Sequence, residues 1–245
     1  GTIVIWSNHD RNDLKCSDVI EETKVWIGRT FRKFIWKGIK ILVNGEEVKA
    51  IDPLYVTTEK TKFPGDPSAY EYQTIKLDWP LPEGHLNSSN EDKVISIRTS
   101  LLPKELRKIR GRGGDKKATE RYINKNEGIS ILRNDREVFY GIPANWPRGG
   151  VNFGGNMEVN RWWGCEISFN AIHDTNFTVK NIKRGAQPLT ELKRAINDKI
   201  KGIVKQSIEQ IQDDWDQYAQ EIIDNQNNTE TSTGHETAEN VAKNT

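Results

Sequence analysis

The sequence predicts an α+β fold, in which helices pack on a mixed β-sheet. Two stretches near the ends of the chain, 17–37 and 189–222, repeat apolar residues at the spacing of an amphipathic helix. Between them, short alternating segments flank Asn44-Gly45 and Asn134-Asp135, and such turn residues between strands mark β-hairpins. Helices at the ends and strands in the middle indicate a layered α+β architecture.

The chain begins with a stretch, 1–6, whose apolar and β-branched residues predict a strand. A single strand cannot be stable by itself. It starts without Met, and we expect it either to pair within this chain or to be the last strand of a sheet whose other strands lie upstream.

The first long helix is predicted over 17–37, with Ser17 as N-cap and Gly38 as stop. Its polar face is acidic early and basic late, which opposes the helix dipole. That face lies opposite the apolar stripe and carries Glu21, Glu22, Lys24, Arg29, Arg32 and Lys33.

The central part of the chain reads as hairpins and further strands joined by loops. Residues 57–73, 80–92 and 141–160 are rich in Pro, Gly or polar residues and are predicted as loops or links. The predicted strands are 39–43, 46–50, 74–79, 93–101, 128–133, 136–140 and 162–169.

A last helix is predicted to begin at Pro188 or Leu189 and to carry one apolar stripe over about ten turns. That length exceeds a compact domain, so we expect the first half to pack on the sheet. The second half, 206–224, is expected to project and to pair with another helix, which would allow a homodimer. The tail, 225–245, is predicted to be disordered because it is too polar to bury much apolar surface.

A lysine loop follows the strand at 162–169 and precedes the last helix. It contains Lys180, Asn181, Lys183 and Arg184 and ends at Gly185, which lets the backbone turn tightly. A lysine ammonium on such a loop can bind a phosphate as a point charge. The alternative is an ordinary solvated basic loop before a helix.

A second basic region, 98–125, could follow a nucleic-acid backbone. Only Glu105, Asp115 and Glu120 oppose its cations within the segment, and Tyr122 alone could stack on a base. The alternative is a mobile, solvated loop whose balancing acids lie elsewhere. The cations expected to contact nucleic acid are Arg107, Lys108, Arg110 and Arg112.

Composition and motifs exclude several other classes. The formal net charge is +1, no apolar run is long enough to span a membrane, and no signal peptide is present. The cysteines, Cys16 and Cys165, fit no metal spacing and are expected to be buried or half-buried thiols in a reducing cytoplasm. The histidines are scattered, Asp213-Asp214 is expected to face solvent, and no nucleophile elbow or phosphate-binding P-loop is present. The chain alone therefore contains no complete active site.

Several segments, in order, resemble the GHKL ATPases, which include DNA gyrase B, mismatch-repair MutL, heat-shock-ninety chaperones and histidine kinases. Residues 1–6 resemble the closing strand of the ATP-binding module. Residues 38–48 with 51–55, and 128–138, resemble the two hairpins of the transducer domain that follows it. Residues 161–169 and 177–183 resemble the stretch that ends in the transducer lysine.

The resemblance implies a ribosomal-protein-like transducer fold with a left-handed crossover. Residues 1–12 would close a truncated ATP-binding domain and 13–205 would form the transducer. It also implies that Lys183 reaches the terminal phosphate of ATP bound upstream, with Mg²⁺ held mainly by that upstream domain. The family pattern before the glycine is Asn-Asn-Lys-Gln, and here Ile182 and Arg184 depart from it. Lys180 and Asn181 are the further candidate nucleotide contacts.

Overall fold

The computed structural model describes residues 2–3, 15–82, 89–147, 151, 157–179 and 186–242, without the side chains of 90, 91, 157 and 228–242. The predicted strand at 1–6 lies outside the described residues except for Thr2 and Ile3, which are not in a strand. The lysine loop, 180–185, also lies outside them.

The described chain has the predicted α+β composition. Its helices are α1 (Cys16–Thr30), α2 (Arg32–Trp36), α3 (Lys104–Arg107), α4 (Lys116–Glu120), α5 (Met157–Asn160) and α6 (Thr190–Ala242). Its strands are β1 (Leu42–Val43), β2 (Glu46–Glu47), β3 (Tyr70–Glu71), β4 (Ile75–Asp78), β5 (Val94–Leu101), β6 (Ile129–Arg133), β7 (Arg136–Gly141) and β8 (Trp163–Phe169).

Strand β8 lies in the middle of a six-stranded mixed sheet, which confirms the predicted sheet type. The order is β3-β5-β8-β6-β7, and β4 also pairs with β5. Strand β8 runs antiparallel to β5 and parallel to β6, so that Ile167 lies between Ile97 and Ile131. Strand β7 pairs only with β6 among the described strands and forms one edge of the sheet.

Both predicted hairpins are present. Asn44 and Gly45 have φ of 51° and 80°, and Asn134 and Asp135 have φ of 46° and 68°. Positive φ at both central residues is the turn that matches the twist of paired strands. The first hairpin has strands of only two residues, whereas the second joins β6 to β7 with one irregularity between Ile131 and Leu132.

The core lies between the sheet and α6. Apolar side chains on the face of α6 toward the sheet recur at helical spacing, which confirms the predicted stripe. Beside them, Phe169 stacks on Phe177 with ring centres 3.8 Å apart. Burial of one large apolar side chain contributes roughly 1.5–3 kcal/mol to the free energy of folding. The fully or almost fully buried members on α6 are Leu192, Ile196, Ile200, Val204, Ile211 and Trp215.

Two features of the N-terminal helix are not visible in the spacing of its apolar residues. The helical spacing predicts one helix, but Phe31 leaves helical dihedrals (φ −111°, ψ 17°) and separates α1 from α2. The charged face opposite the apolar stripe is also not uniformly exposed, because Arg32 on it is fully buried. Its burial depends on acids that strands distant in sequence supply, and helical spacing contains no information about them.

Helix α6 stays packed further along the chain than 206, where the projecting part is predicted to begin. Ser207 donates a hydrogen bond to the Ile203 carbonyl and contacts the Tyr72 hydroxyl, and Trp215 is buried. Residues 219–227 are exposed. The helix also continues to Ala242, past the predicted start of the tail at Asn225. The backbone hydrogen bonds of a helix join residues four apart within the helix itself. A helix can therefore continue beyond the point where its sequence stops supplying apolar residues.

Two smaller expectations concern thiols and membranes. Cys165 is buried as predicted, but Cys16 is exposed because it begins α1 on the outside of the fold.

Within the described residues, no helix combines the length and the apolar character needed to cross a membrane.

Candidate functional site

A buried ion cluster connects α2 to the sheet, and it consists of Arg32, Ser130, Glu137 and Glu166. Arg32 Nη1 donates to Glu137 Oε2 (2.9 Å), and its Nη2 donates to Glu166 Oε2 and to Ser130 Oγ (both 2.7 Å). Ser130 Oγ in turn donates to Glu137 Oε2 (2.7 Å). One guanidinium therefore joins strands β6, β7 and β8 to the helix before them.

Three half-buried cations complete the charge balance around the cluster. Arg29 Nε contacts Glu137 Oε1 at 2.7 Å, and Lys33 Nζ contacts Glu166 Oε1 at 2.9 Å. Arg98 joins the same Glu166 oxygen (3.1 Å) to Glu71 (2.6 Å). Each buried carboxylate thus contacts more than one cation, which is the condition for burying an ion without a large penalty.

The electrostatics of the cluster act mainly on Glu166. Burial by itself raises the pKa of this carboxyl, but the attraction of Arg32 and Lys33 outweighs burial and lowers the pKa to about 2. The glutamate is therefore ionised at neutral pH. Burial also lowers the pKa of Arg32, and the charges of Glu137 and Glu166 outweigh it and raise the pKa above its ordinary value.

The two ends of the lysine loop are held together by three hydrogen bonds. We call residues 176–179 and 186–189 the loop base. Leu189 N donates to the Asn176 carbonyl (2.9 Å), Gln187 N to the Phe177 carbonyl (2.8 Å), and Thr178 Oγ1 to the Gln187 carbonyl (2.7 Å). Val179 and Ala186, which flank the lysine loop in sequence, therefore belong to one hydrogen-bonded unit next to the start of α6. The predicted site residues Lys180, Asn181 and Lys183 lie outside the described residues.

The segment 171–174, which leads into the loop base, is attached to the turn between β6 and β7. Arg133 makes a bidentate pair with Asp174, with N–O distances of 2.6 and 2.9 Å. Asn134 Oδ1 accepts from Ala171 N (2.9 Å). The buried His173 ring contacts the Asp92 carbonyl through Nε2 and the Asn176 amide through Nδ1, both at 3.0 Å. These contacts hold the segment after β8 in place against the rest of the fold.

Only part of the basic segment is a free surface: Lys108, Arg110 and Arg112 are exposed, but other cations of the segment are paired inside the fold. Arg107 is buried, donates to the Leu102 carbonyl and pairs with Asp214, so the prediction that Asp214 faces solvent is wrong. Lys108 lies over the Tyr218 ring (4.4 Å) and Arg110 over the Trp215 ring (5.6 Å). The acids that balance this segment, Asp214 among them, come from distant parts of the chain, as the alternative prediction held.

A surface cleft of about 420 Å³ lies between α1 and β7, and we call it the α1–β7 cleft. One wall is a face of α1 with Trp26, Arg29 and Thr30, and the other is the run 136–140 of β7. Arg29 stacks on Tyr140 at 4.2 Å, and Arg136 lies over the Phe31 ring at 5.4 Å. The cleft combines cationic and aromatic side chains.

The charged residues that organise this region were not among the predicted site residues. A signal for two of them is visible in the sequence, since Glu137 and Glu166 each lie beside apolar residues inside a strand. A charge inside a buried strand needs a cation, and Arg32 supplies it. No such signal marks Arg32, which is one of several basic residues on a polar helix face.

No known family model, curated protein or solved structure matches the chain. In the described part of the chain, no three His, Cys, Asp or Glu side chains lie close enough together to hold a metal ion.

Proposed function

We propose that the chain is the transducer part of a GHKL-type ATPase, in which Lys183 contacts the terminal phosphate of ATP bound by an upstream domain in the same chain. Lys180 and Asn181 would assist it, and Mg²⁺ would be held mainly upstream. The lysine would offset the charge that develops on the transferred phosphate, and ATP binding would change the angle between the two domains.

The observation that carries the proposal is the path from the buried ion cluster through β8 to the loop base. Glu166 in β8 is bound to Arg32 of α2, the second helix after the predicted closing strand of the upstream domain. Strand β8 continues into 170–179, where the loop base is closed by hydrogen bonds. A movement of the upstream domain would therefore act on the strand that leads to the lysine loop.

A lysine on a loop whose two ends are held together is well suited to contact a phosphate. The loop base fixes where the loop begins and ends, which limits the freedom that a phosphate contact must remove. A preorganised cation at a phosphate is worth more than one on a freely moving tail, because less reorganisation is needed when charge develops.

The test is ATP turnover by the intact protein and its Lys183→Ala variant. We expect turnover to fall by about 10²–10³-fold, the usual effect of removing one preorganised electrostatic contact. Lys201→Ala on α6 is the matched control, since Lys201 is exposed and its ion-pair partner among the described residues is Asp198, one turn away on the same helix. Lys180→Ala separates the two candidate lysines.

Unchanged turnover in both Lys183→Ala and Lys180→Ala, with the thermal unfolding of each variant unaltered, would overturn the proposed lysine contact. Absence of ATP hydrolysis by the intact protein would overturn the ATPase itself.

Nucleic acid is a second candidate partner, with Lys108, Arg110 and Arg112 as the contacting residues. It is favoured by one observation: Arg112 forms no ion pair among the described residues. Binding would weaken steeply with salt and would disappear when these three cations are neutralised. Arg107 is excluded from this surface because it is buried against Asp214.

Two further expectations belong to the same proposal. The exposed end of α6 carries Ile222 and Ile223, which favours pairing with a second copy of the chain. Sedimentation at several concentrations measures such pairing. We also propose that the protein is cytoplasmic, which is where its proposed ligand ATP would be bound.

A further inference from the structure

The α1–β7 cleft has the geometry of a groove between an edge strand and a helix. Five consecutive residues of β7, 136–140, line it. Because successive side chains of a strand point to opposite faces, a cleft lined by consecutive residues runs along the backbone edge rather than over one face. At about 3.4 Å per residue, this edge is roughly 17 Å long.

The outer edge of β7 has free backbone hydrogen-bonding groups. In the described chain, β7 pairs only with β6, and no other backbone hydrogen bond involves residues 136–141. An edge strand presents a row of such groups to any extended segment. Strand addition to an edge is a common way of binding peptides.

Trp26 on the helix wall offers an apolar surface for a side chain of such a segment. Trp26 lines the cleft and is 43% exposed, and Val19 two turns earlier is 41% exposed, although both belong to the predicted apolar stripe of the helix. Only Gly28 and Thr30 of α1 are buried. The apolar stripe of α1 is thus only partly used by the fold.

The charges that line the cleft indicate what kind of peptide would bind there. Both oxygens of Glu137 are already bound, by Arg29, Arg32 and Ser130. Arg136 has no carboxylate within ion-pair distance in the described chain, and its Nε is buried without a hydrogen-bond partner. The charge left over in the cleft is therefore a guanidinium, which fits a carboxylate.

We propose that the α1–β7 cleft binds an extended acidic peptide segment, which adds to β7 as a further strand and places a carboxylate on Arg136 and apolar side chains on Trp26. A segment with both acidic and apolar residues suits this cleft, since Arg136 and Trp26 lie on either side of the Phe31 ring. The proposal does not rest on the proposed ATP coupling.

The probe is a fluorescein-labelled hexapeptide of alternating valine and glutamate with blocked ends, and its binding to the full-length protein is measured by fluorescence anisotropy. We expect saturable binding that weakens with salt. Arg136→Glu should weaken it roughly tenfold to a hundredfold, the range for a charge-assisted hydrogen bond. Lys76→Glu, the same charge change on the exposed strand β4 on the far side of β5, should change the affinity less than twofold.

Two altered peptides test the strand geometry without changing the protein. N-methylation at alternate residues removes the backbone donors and should abolish binding, and lysine in place of glutamate should do the same. The proposal is overturned if the unmodified peptide does not bind, if either altered peptide binds equally well, or if Arg136→Glu affects binding no more than Lys76→Glu. Displacement of the bound peptide by Mg-ATP at equal concentration would also overturn it, since the cleft would then be a nucleotide site.

Discussion

At the scale of single residues, the charge of Glu166 has the largest consequence. It lies in the central strand and contacts Arg32, Lys33 and Arg98, so that three cations from two parts of the chain, α2 and β5, meet one carboxylate. A buried ion pair adds little net stability, but the removal of one partner leaves an uncompensated buried charge. The cluster therefore fixes how α2 sits on the sheet.

Glu166→Gln should lower the free energy of unfolding by about 3–5 kcal/mol, because Arg32 would keep its buried charge with one acid fewer. Urea titration followed by circular dichroism measures the loss. Glu46→Gln is the control; its carboxylate contacts Lys24 at 2.6 Å but is 74% exposed, and an exposed pair contributes about 1 kcal/mol at most. Equal losses in the two variants would contradict this account.

The pKa of Glu166 also predicts that the stability of the fold depends on pH. The pKa of Glu166 is about 2 in the folded state and about 4.3 in an unfolded chain, so the unfolded state binds more protons between these values. Its contribution is full above about pH 4.3 and is lost as the pH falls toward 2. The difference in unfolding free energy between wild type and Glu166→Gln should shrink over this window. A constant difference from pH 6 to pH 2 would argue against an ionised Glu166.

At the scale of elements, α6 is held by polar contacts as well as by its apolar stripe. Asp214 pairs with Arg107 and Lys104, and the Trp215 indole donates to the Arg107 carbonyl at 2.7 Å. Burial raises the pKa of Asp214, and hydrogen bonds from Lys104 and Arg107 outweigh it and lower the pKa. The segment after β5 is thereby attached to the last packed turns of the helix.

A chain ending at residue 206 should lose several kcal/mol of stability, because it lacks Ile211 and Trp215 and leaves Arg107 buried without Asp214. A chain ending at residue 218 should unfold within about 1 kcal/mol of the full chain, since residues 219–227 are exposed. Thermal unfolding of both truncations gives the comparison. Equal stability of the two would place the end of the packed region before Ser207.

At the scale of the whole molecule, the sheet connects two distant regions. The buried ion cluster lies at α2, and the loop base lies beyond the end of β8, beside the β6–β7 turn through the Arg133–Asp174 pair. Packed strands transmit displacement because their interior does not deform freely. The proposed coupling between an upstream ATP site and the lysine loop uses this connection.

Addition of a non-hydrolysable ATP analogue to the intact protein should slow amide hydrogen exchange at Gln187 and Leu189, whose N–H groups close the loop base. We expect a slowing of about tenfold or more, since a bound phosphate would favour the closed base. The amides of Ile222 and Ile223, on the exposed end of α6, are the internal control. Equal change at both places, or none at the loop base, would speak against ATP binding near this loop.

The sequence alone determined the features that depend on neighbours along the chain. The Asn44-Gly45 and Asn134-Asp135 turns, the alternating strand at 162–169 and the apolar stripe of α6 are local signals, and each was predicted at the right place. The lysines of the lysine loop lie outside the described residues, so their role stays a prediction.

Only the tertiary structure decided which charges are buried and what opposes them. Arg32, Arg107 and Asp214 look like surface residues in the sequence, and each is buried with a partner more than a hundred positions away or on another element. The edge position of β7 and the cleft beside α1 depend in the same way on strand order. Pairing between distant residues follows from how the whole sheet assembles, and no local spacing encodes it.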